Sequence, residues 1–346
     1  PTAKVDAALR AEVAAVSGLA AMYLGHDAEA EAALMAARDE AERAGEPLVV
    51  ARAMNSLGML HQRASAFHEA RVAYEACIEI AHDQGHLPFE ASFRQNLASL
   101  LHQQHVLGEA LDTYRSALDL ARRFGGASEL GQIEHNLARL LCQLGQLDEA
   151  EGRGRRAVSF AEFAGRSGLQ GDGEIVLAEI ALAQGDGDAC ATWLDRAQEH
   201  VDSGDVVATI DVSLVRARLA LERGDGGRAR DLLASVDATP AVDLQGLHRE
   251  LLLAQADLAD PAGSPADAAA RLHEVLGRAD AQRHSELLFE LHDALAEASA
   301  RLDDDAAARE HRAKARDLCE AAVAALPPEL RDPYRAMSPQ VRILAA

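Results

Sequence analysis

Residues 108–125 read GEALDTYRSALDLARRFG, and the same pattern occurs again at intervals of forty residues. Its counterparts are AEAEAALMAARDEAERAG (28–45), HEARVAYEACIEIAHDQG (68–85) and DEAEGRGRRAVSFAEFAG (148–165). The four segments share alanine at two phases and end in glycine, at Ala30, Ala70, Ala110 and Ala150, at Ala41, Ala81, Ala121 and Ala161, and at Gly45, Gly85, Gly125 and Gly165. A fixed period of this length is typical of repeat arrays, whose units become stable only by packing on their neighbours. The pattern predicts a binding scaffold and not a catalytic pocket.

A second signature precedes each of the segments 68–85, 108–125 and 148–165. It reads NSLGML (55–60), NLASLL (96–101) and NLARLL (136–141), with a small residue twelve positions before the shared alanine. Small side chains at two such points let paired antiparallel helices cross closely. Weaker copies supply further anchors at Ala189, Ala229, Ala268 or Ala269, and Ala308. The anchors together predict an all-α array of about eight helix pairs.

Glycine and proline mark the predicted ends of the elements. Gly45, Gly85, Gly125 and Gly165 are expected to adopt the left-handed conformation that ends many helices. Four prolines fall between Pro327 and Pro339, where the regular array stops. We therefore expect a repeat domain over residues 1–325, with its best-spelled repeats at 46–165, and a capping tail over residues 326–346.

Composition narrows the class of partner and the compartment. The 56 acidic and 34 basic residues give a formal charge of -22, the wrong sign for binding nucleic acid directly or an anionic membrane surface. Most of this charge is expected to lie on a well-solvated outer surface. The alternative is that the negative charge attracts a basic segment of a partner. Because no long apolar run or signal peptide is present, we expect a cytoplasmic protein.

No residue pattern indicates catalysis or a cofactor. The four cysteines, Cys77, Cys142, Cys190 and Cys319, form no CxxC pair. The pairs His102 with His105 and His82 with His86 lack the carboxylate-rich surroundings of a metal site. With no Walker loop, nucleophile elbow or paired-carboxylate motif, we expect no cofactor, no metal and no enzyme activity.

At the two signatures the chain resembles the tetratricopeptide repeat (TPR) family. The leucine and small residue of the first helix and the alanine of the second stand at matching intervals. The resemblance implies a superhelix (α-solenoid) of antiparallel helix pairs, of the longer variety seen in sensor regions of bacterial signalling proteins. HEAT repeats have a compatible period, but the paired small residues argue against them.

The resemblance implies that the first helix of each pair lines the concave face. Projected onto repeats two to four, the predicted peptide-binding residues are Arg52, Asn55, Ser56, Arg63, Gln95, Asn96, Ser99, His102, Gln132, His135, Asn136, Arg139 and Gln143. The equivalent residues of repeat one (Ala15, Val16, Leu19, Met22) and repeat five (Ile175, Val176, Leu182) are apolar. The sequence thus predicts a polar groove with apolar flanks.

Asn96 and Asn136 share one phase in adjacent repeats, which are spaced by about 10 Å of helix packing. Their amides offer both a donor and an acceptor, as the backbone of an extended peptide requires. The alternative is that these amides only brace neighbouring helices.

We therefore predict a non-catalytic protein- or peptide-binding scaffold, the sensor or docking region of a larger bacterial regulatory protein. The alternative function is oligomerisation or autoinhibition within a multidomain kinase, ATPase or transcription regulator, and a homo-oligomer is compatible with either function.

Overall fold

The computed structural model describes residues 2–201, 205–235, 243–281 and 285–345, and within them it contains eighteen helices and no strand. The helices are α1 (Thr2–Tyr23), α2 (Asp27–Ala44), α3 (Pro47–Arg63), α4 (Phe67–Asp83), α5 (Leu87–Gln103), α6 (Leu107–Phe124), α7 (Ala127–Gln143), α8 (Leu147–Phe163), α9 (Ser167–Ala183), α10 (Gly187–His200), α11 (Val206–Glu222), α12 (Gly226–Ala234), α13 (Asp243–Ala259), α14 (Pro265–Ala281), α15 (Ser285–Arg301), α16 (Asp305–Ala325), α17 (Pro328–Arg335) and α18 (Gln340–Ala345).

The described helices α1 to α16 form eight consecutive pairs, and each pair is one repeat, numbered one to eight in chain order. The odd-numbered helix is the first helix of its repeat and the even-numbered helix is the second. This arrangement confirms the predicted all-α helical-repeat superhelix of TPR type. Successive helices pack on one another, as α1 does on α2, α3 on α4, α9 on α10 and α15 on α16. None of the described helices has both the length and the apolar character needed to cross a bilayer.

The repeated alanines lie where the helices approach most closely. Ala30, Ala70, Ala110 and Ala150 are all fully buried, as are most residues at the same phase later in the chain. In repeat five the buried residue is Cys190, one position after the expected Ala189, which is only half-buried. In repeat seven Ala268 is fully buried, which resolves the choice between Ala268 and Ala269.

Left-handed residues end the helices at most of the predicted glycines. Gly45, Gly85 and Gly165 have φ values between 62° and 69°. The prediction is wrong for Gly125, whose backbone is not left-handed. There α6 continues to Phe124, and the Gly125 N–H donates to the carbonyl oxygen of Ala121 in the helical i to i−4 pattern.

Contacts divide the chain into two compact units. Unit 1 is Pro1–His102 with Glu109–Glu129, and unit 2 is Gln103–Gly108 with Leu130–Ala346. The α5–α6 turn is grouped with unit 2 because it contacts the C-terminal helices. In that contact the imidazole Nε2 of His105 lies 3.0 Å from the hydroxyl of Tyr334, which is fully buried.

The C-terminal helix α18 shares a small apolar core with α15 and α16. Ile343 of α18 packs with Phe289 of α15 and with Ala315 and Cys319 of α16. The predicted repeat boundary at residue 325 coincides with the end of α16 at Ala325. The division into a repeat domain and a capping tail stays a prediction.

Gly145 offers a test of how the C-terminal segment is held. Its φ is +74°, and a Cβ placed there would lie 2.3 Å from the carbonyl oxygen of Pro333 in α17. Gly185 has nearly the same φ, +77°, but a Cβ there would meet no atom within 4 Å.

We expect Gly185→Ala to cost about 1–2 kcal/mol, the left-handed strain alone. Gly145→Ala should cost a further 1–3 kcal/mol or so, because the backbone of α17 must move away. Urea unfolding of the two variants measures the difference, and equal losses would show that α17 does not press on this turn.

Candidate functional site

Charged side chains from three successive first helices of unit 2 meet on one surface. Arg139 of α7 places its Nε 3.4 Å from Oε2 of Glu179 in α9, and its Nη2 3.8 Å from Oδ2 of Asp211 in α11. Gln245 of α13 donates from Nε2 to Oδ1 of Asp211 at 2.9 Å. We call this set, together with Asp172 of α9 and His135 of α7, the inner cluster.

The inner cluster is surrounded by protein but still reached by water. Arg139 keeps 39% of its side-chain surface exposed. The Glu179 and Asp211 carboxylates raise the pKa of Arg139, which remains a cation. Burial raises the pKa of Asp172 to about 6, against the opposing effect of Arg139. Burial and the Arg139 charge lower the pKa of His135 to about 3, so its imidazole is neutral near pH 7.

Three polar atoms of the inner cluster are buried without a hydrogen-bond partner in the described part of the chain. They are Nδ1 of His135, Nε of Arg139 and Oε1 of Gln245. The contact of Arg139 Nε with Glu179 has ion-pair distance but not hydrogen-bond geometry. Buried polar atoms are normally satisfied, and these three exceptions, two on α7 and one on α13, all lie in the inner cluster.

Several predicted residues of unit 1 form hydrogen bonds or ion pairs with residues of the preceding repeat. Asn96 of α5 donates from Nδ2 to Oδ1 of Asn55 in α3 at 2.8 Å. Arg52 pairs with Glu12 at 2.8 Å, and Arg63 pairs with Asp27 and donates to the carbonyl oxygen of Met22. The remaining four are two buried residues, Ser56 and Gln95, and two half-buried residues, Ser99 and His102.

In unit 2 the predicted residues lie along α7. His135, Asn136 and Arg139 are half-buried, and Gln132 is exposed at the start of the helix. Gln143, near the end of α7, has its Nε2 3.4 Å from Nδ1 of His105 in the α5–α6 turn. The structure thus brings His135 and Arg139 into the inner cluster, while Gln143 joins the contact with the C-terminal helices.

The apolar flank predicted for repeat five is wrong. Ile175, Val176 and Leu182 are buried, with Ile175 and Leu182 in the core that α9 forms with α10 and α11. The inward residues of α9 are instead Asp172 and Glu179, which sequence reasoning missed. The forty-residue period could have identified them, because they stand at the positions of Gln132 and Arg139 one repeat later.

Three arginines of α8 belong to a different surface. Arg153 and Arg156 both pair with the buried Glu134 of α7, at 3.2 and 3.1 Å, and Arg155 pairs with Glu151. Within the described ranges no three His, Cys, Asp or Glu side chains are grouped closely enough to hold a metal ion.

Paired helices and buried alanines at one phase define a helical-repeat protein of TPR type. The chain belongs to the family described as the MalT-like TPR region, whose model matches residues 91–311, more than half of the sequence. No curated protein has a significant sequence match to this chain.

Solved structures of several bacterial regulators share the fold. The quorum sensor NprR from B. thuringiensis, in its apo form, is similar over 88% of this chain and 86% of its own, with 18% identity and a TM-score of 0.62. A Rap protein complexed with Competence and Sporulation Factor is similar over 92% of this chain and 99% of its own, with 13% identity and a TM-score of 0.60. The Rap conjugation gene regulator of plasmid pLS20, in complex with the Phr* peptide, covers 83% of this chain and 80% of its own, with 13% identity and a TM-score of 0.62.

The raised pKa of Asp172 predicts a pH-dependent stability. Because burial raises this pKa from 3.8 to about 6, the carboxyl holds its proton more tightly in the folded state. Stability therefore falls as the pH rises through this interval, and the cost persists above it.

We expect Asp172→Asn to raise the free energy of unfolding by about 1–3 kcal/mol near pH 7.5 and to have little effect near pH 4. Urea unfolding at both pH values measures this. Asp83→Asn, at an exposed position at the end of α4, is the control and should change little at either pH. A destabilised Asp172→Asn near pH 7.5 would mean that its attraction to Arg139 outweighs the burial cost.

Proposed function

We propose that this chain is a non-catalytic scaffold that binds an extended protein or peptide segment, as the sensor or docking region of a larger bacterial regulatory protein. Its predicted contacts are the inward side chains of α3 and α5 in unit 1 and of α7 in unit 2, and the inner cluster continues the α7 contact to α9, α11 and α13. A cytoplasmic location belongs to the same proposal.

The observation that carries the proposal is the set of unpartnered polar atoms in the inner cluster. Nδ1 of the neutral His135, Nε of Arg139 and Oε1 of Gln245 supply one N–H donor, one carbonyl acceptor and an imidazole nitrogen. A peptide backbone carries an N–H donor and a carbonyl acceptor at every residue, which match the polar side chains of this cluster. A small apolar ligand could satisfy none of them.

Asn136 stands one residue after His135 and is half-buried, so it can extend this polar surface along α7. In unit 1 the corresponding amide, Asn96, has one donor bound to Asn55. An amide has two N–H donors and a carbonyl oxygen, so Asn96 keeps capacity for a ligand after that bond is made. Asn96 belongs to unit 1 and Asn136 to unit 2, so each amide is a separate contribution with its own test.

The similar structures support a regulatory role by analogy of fold. Two of the three are described in complex with Competence and Sporulation Factor or with the Phr* peptide, and the third is described as a quorum sensor. At identities of 13–18% the likeness extends to the fold, and the ligand of this chain has to be found by experiment.

The test begins with peptides selected from a random displayed library against the folded chain. Asn136→Ala should weaken binding of a selected peptide by about 1–3 kcal/mol, because ligand groups left unpaired in a partly dry site bear a desolvation cost. Asn96→Ala tests unit 1 in the same way. Calorimetric affinity and melting temperature are measured on each variant.

Gln84→Ala, at an exposed position after α4, is the matched amide control and should keep full affinity. Loss of melting temperature with unchanged affinity in Asn136→Ala would mean that the amide only braces the helices. That outcome would contradict the proposed peptide contact on α7.

One observation favours the alternative of self-association. Along α1, Leu9, Val13 and Val16 expose more than half of their surface and recur at the three- and four-residue spacing of a helix-pairing seam. Analytical ultracentrifugation of the chain and of Val13→Glu distinguishes the two functions. A monomer in both cases would contradict self-association through α1.

A further inference from the structure

A groove in unit 1 lies between the second helices of repeats two and three, on a surface that the proposed peptide site does not use. It has a volume of about 500 Å³. One wall is a face of α4 and the other is a face of α6, while α5 contributes to the floor. The lining residues are Glu75, Ile78, Glu79 and His82 of α4, Arg94 and Leu97 of α5, and Glu109, Asp112, Thr113 and Ser116 of α6.

The two walls are acidic and the floor is apolar. Arg71 bridges the walls, with its Nε 2.7 Å from Glu75 and its Nη2 2.7 Å from Glu109. No ion pair in the described residues engages the other two carboxylates, Glu79 and Asp112, which are exposed. The groove therefore offers two carboxylates without an ion pair among the described residues, beside the apolar side chains of Ile78 and Leu97.

A buried carboxylate lies beside the groove. Glu90 of α5 is 2% exposed, and its Oε1 is 2.7 Å from Nη2 of Arg94 and 3.4 Å from Nδ1 of His82. Its other oxygen, Oε2, is buried and has no hydrogen-bond partner in the part of the chain that the structure describes. Because Glu90 already occupies Arg94, that arginine does not neutralise Glu79 or Asp112.

Later repeats carry larger side chains at two positions that line this groove. One repeat later, Thr113 and Ser116 are replaced by Arg153 and Arg156, which both reach the buried Glu134.

Two repeats later the same positions hold Trp193 and Arg196. Arg196 stacks on the Trp193 ring at 4.6 Å and pairs with the buried Glu174 at 2.9 Å. In repeats four and five, arginine at these positions thus pairs with a buried glutamate of the first helix, whereas repeat three has two short hydroxyl side chains there.

We propose that the α4–α6 groove binds a segment of a partner protein that presents an arginine beside an apolar side chain. The guanidinium lies between Glu79 and Asp112, and the apolar side chain covers Ile78 and Leu97. Charge complementarity supports this occupant, because a planar guanidinium donates to carboxylates on both sides. The formal charge of -22 adds a long-range attraction for basic segments.

The probe is a fluorescein-labelled, end-capped hexapeptide of alternating leucine and arginine, measured by anisotropy with the full chain. Two matched peptides replace every arginine by glutamine or every leucine by glycine. We expect each replacement to weaken binding by about tenfold or more, since the site needs both the charge and the apolar contact. Equal binding by the leucine-free peptide or by spermidine would overturn the proposal in favour of nonspecific cation attraction.

Two double variants of the chain locate the site. Glu79→Gln with Asp112→Asn should weaken the probe by about tenfold. Thr113→Arg with Ser116→Arg, which introduces the side chains of repeat four, should abolish binding by filling the groove. The control is Glu162→Gln with Asp317→Asn, which removes the same charge at exposed positions elsewhere.

Circular dichroism melting confirms that each variant remains folded. Equal losses in the control and in Glu79→Gln with Asp112→Asn, or full binding after the groove is filled, would show that the probe binds another surface. Peptides selected for the inner cluster should bind these groove variants normally, so this test and that of the proposed function fail independently.

Discussion

The close crossing of paired helices at small residues is the constraint on which the rest of this structure depends. Ala30, Ala70, Ala110 and Ala150 are completely buried, because a larger side chain at this phase would separate the helices that meet there. Packing density at such a crossing is high, so the position tolerates little variation in volume. Cys190, which stands at the same phase in repeat five, is nearly as small and is equally buried. The period of forty residues is the sequence record of this crossing.

Once the crossings are satisfied, the exposed positions of each repeat are free to differ, and two surfaces of this chain arise in that way. On the inward side of α7, α9 and α11, a cation at Arg139 lies between the carboxylates of Glu179 and Asp211. These charges stay partly hydrated, so they can exchange one partner for another at modest cost. On the second helices, Thr113 and Ser116 stand where the next repeat has two arginines, and they line an acidic groove. Both surfaces come from substitutions on an unchanged helical frame.

The turns show the same division between a fixed frame and local departures. Most left-handed turn residues of the described chain are glycines, but the α5–α6 turn has His105 at φ 60°. Histidine is among the side chains that enter this region more readily, and here the imidazole contacts the Tyr334 hydroxyl. At the next such turn Gly145 is required, because the carbonyl of Pro333 lies where a Cβ would stand. The C-terminal helices thus determine which side chains the turns of repeats three and four can carry.

The helical class, the number of pairs, the buried alanine phase and the polar character of α7 can be predicted from the sequence. They follow from a local period that is present in every repeat. The forty-residue period aligns Asp172 and Glu179 of α9 with Gln132 and Arg139 of α7, but it did not show that Ile175 and Val176 enter the core. It also did not reveal that Asn96 would bond Asn55, or that Gly125 would continue a helix. Only the tertiary structure decided these points, since they depend on which side chains from separate repeats come within bonding distance, and a periodic pattern carries no such distance.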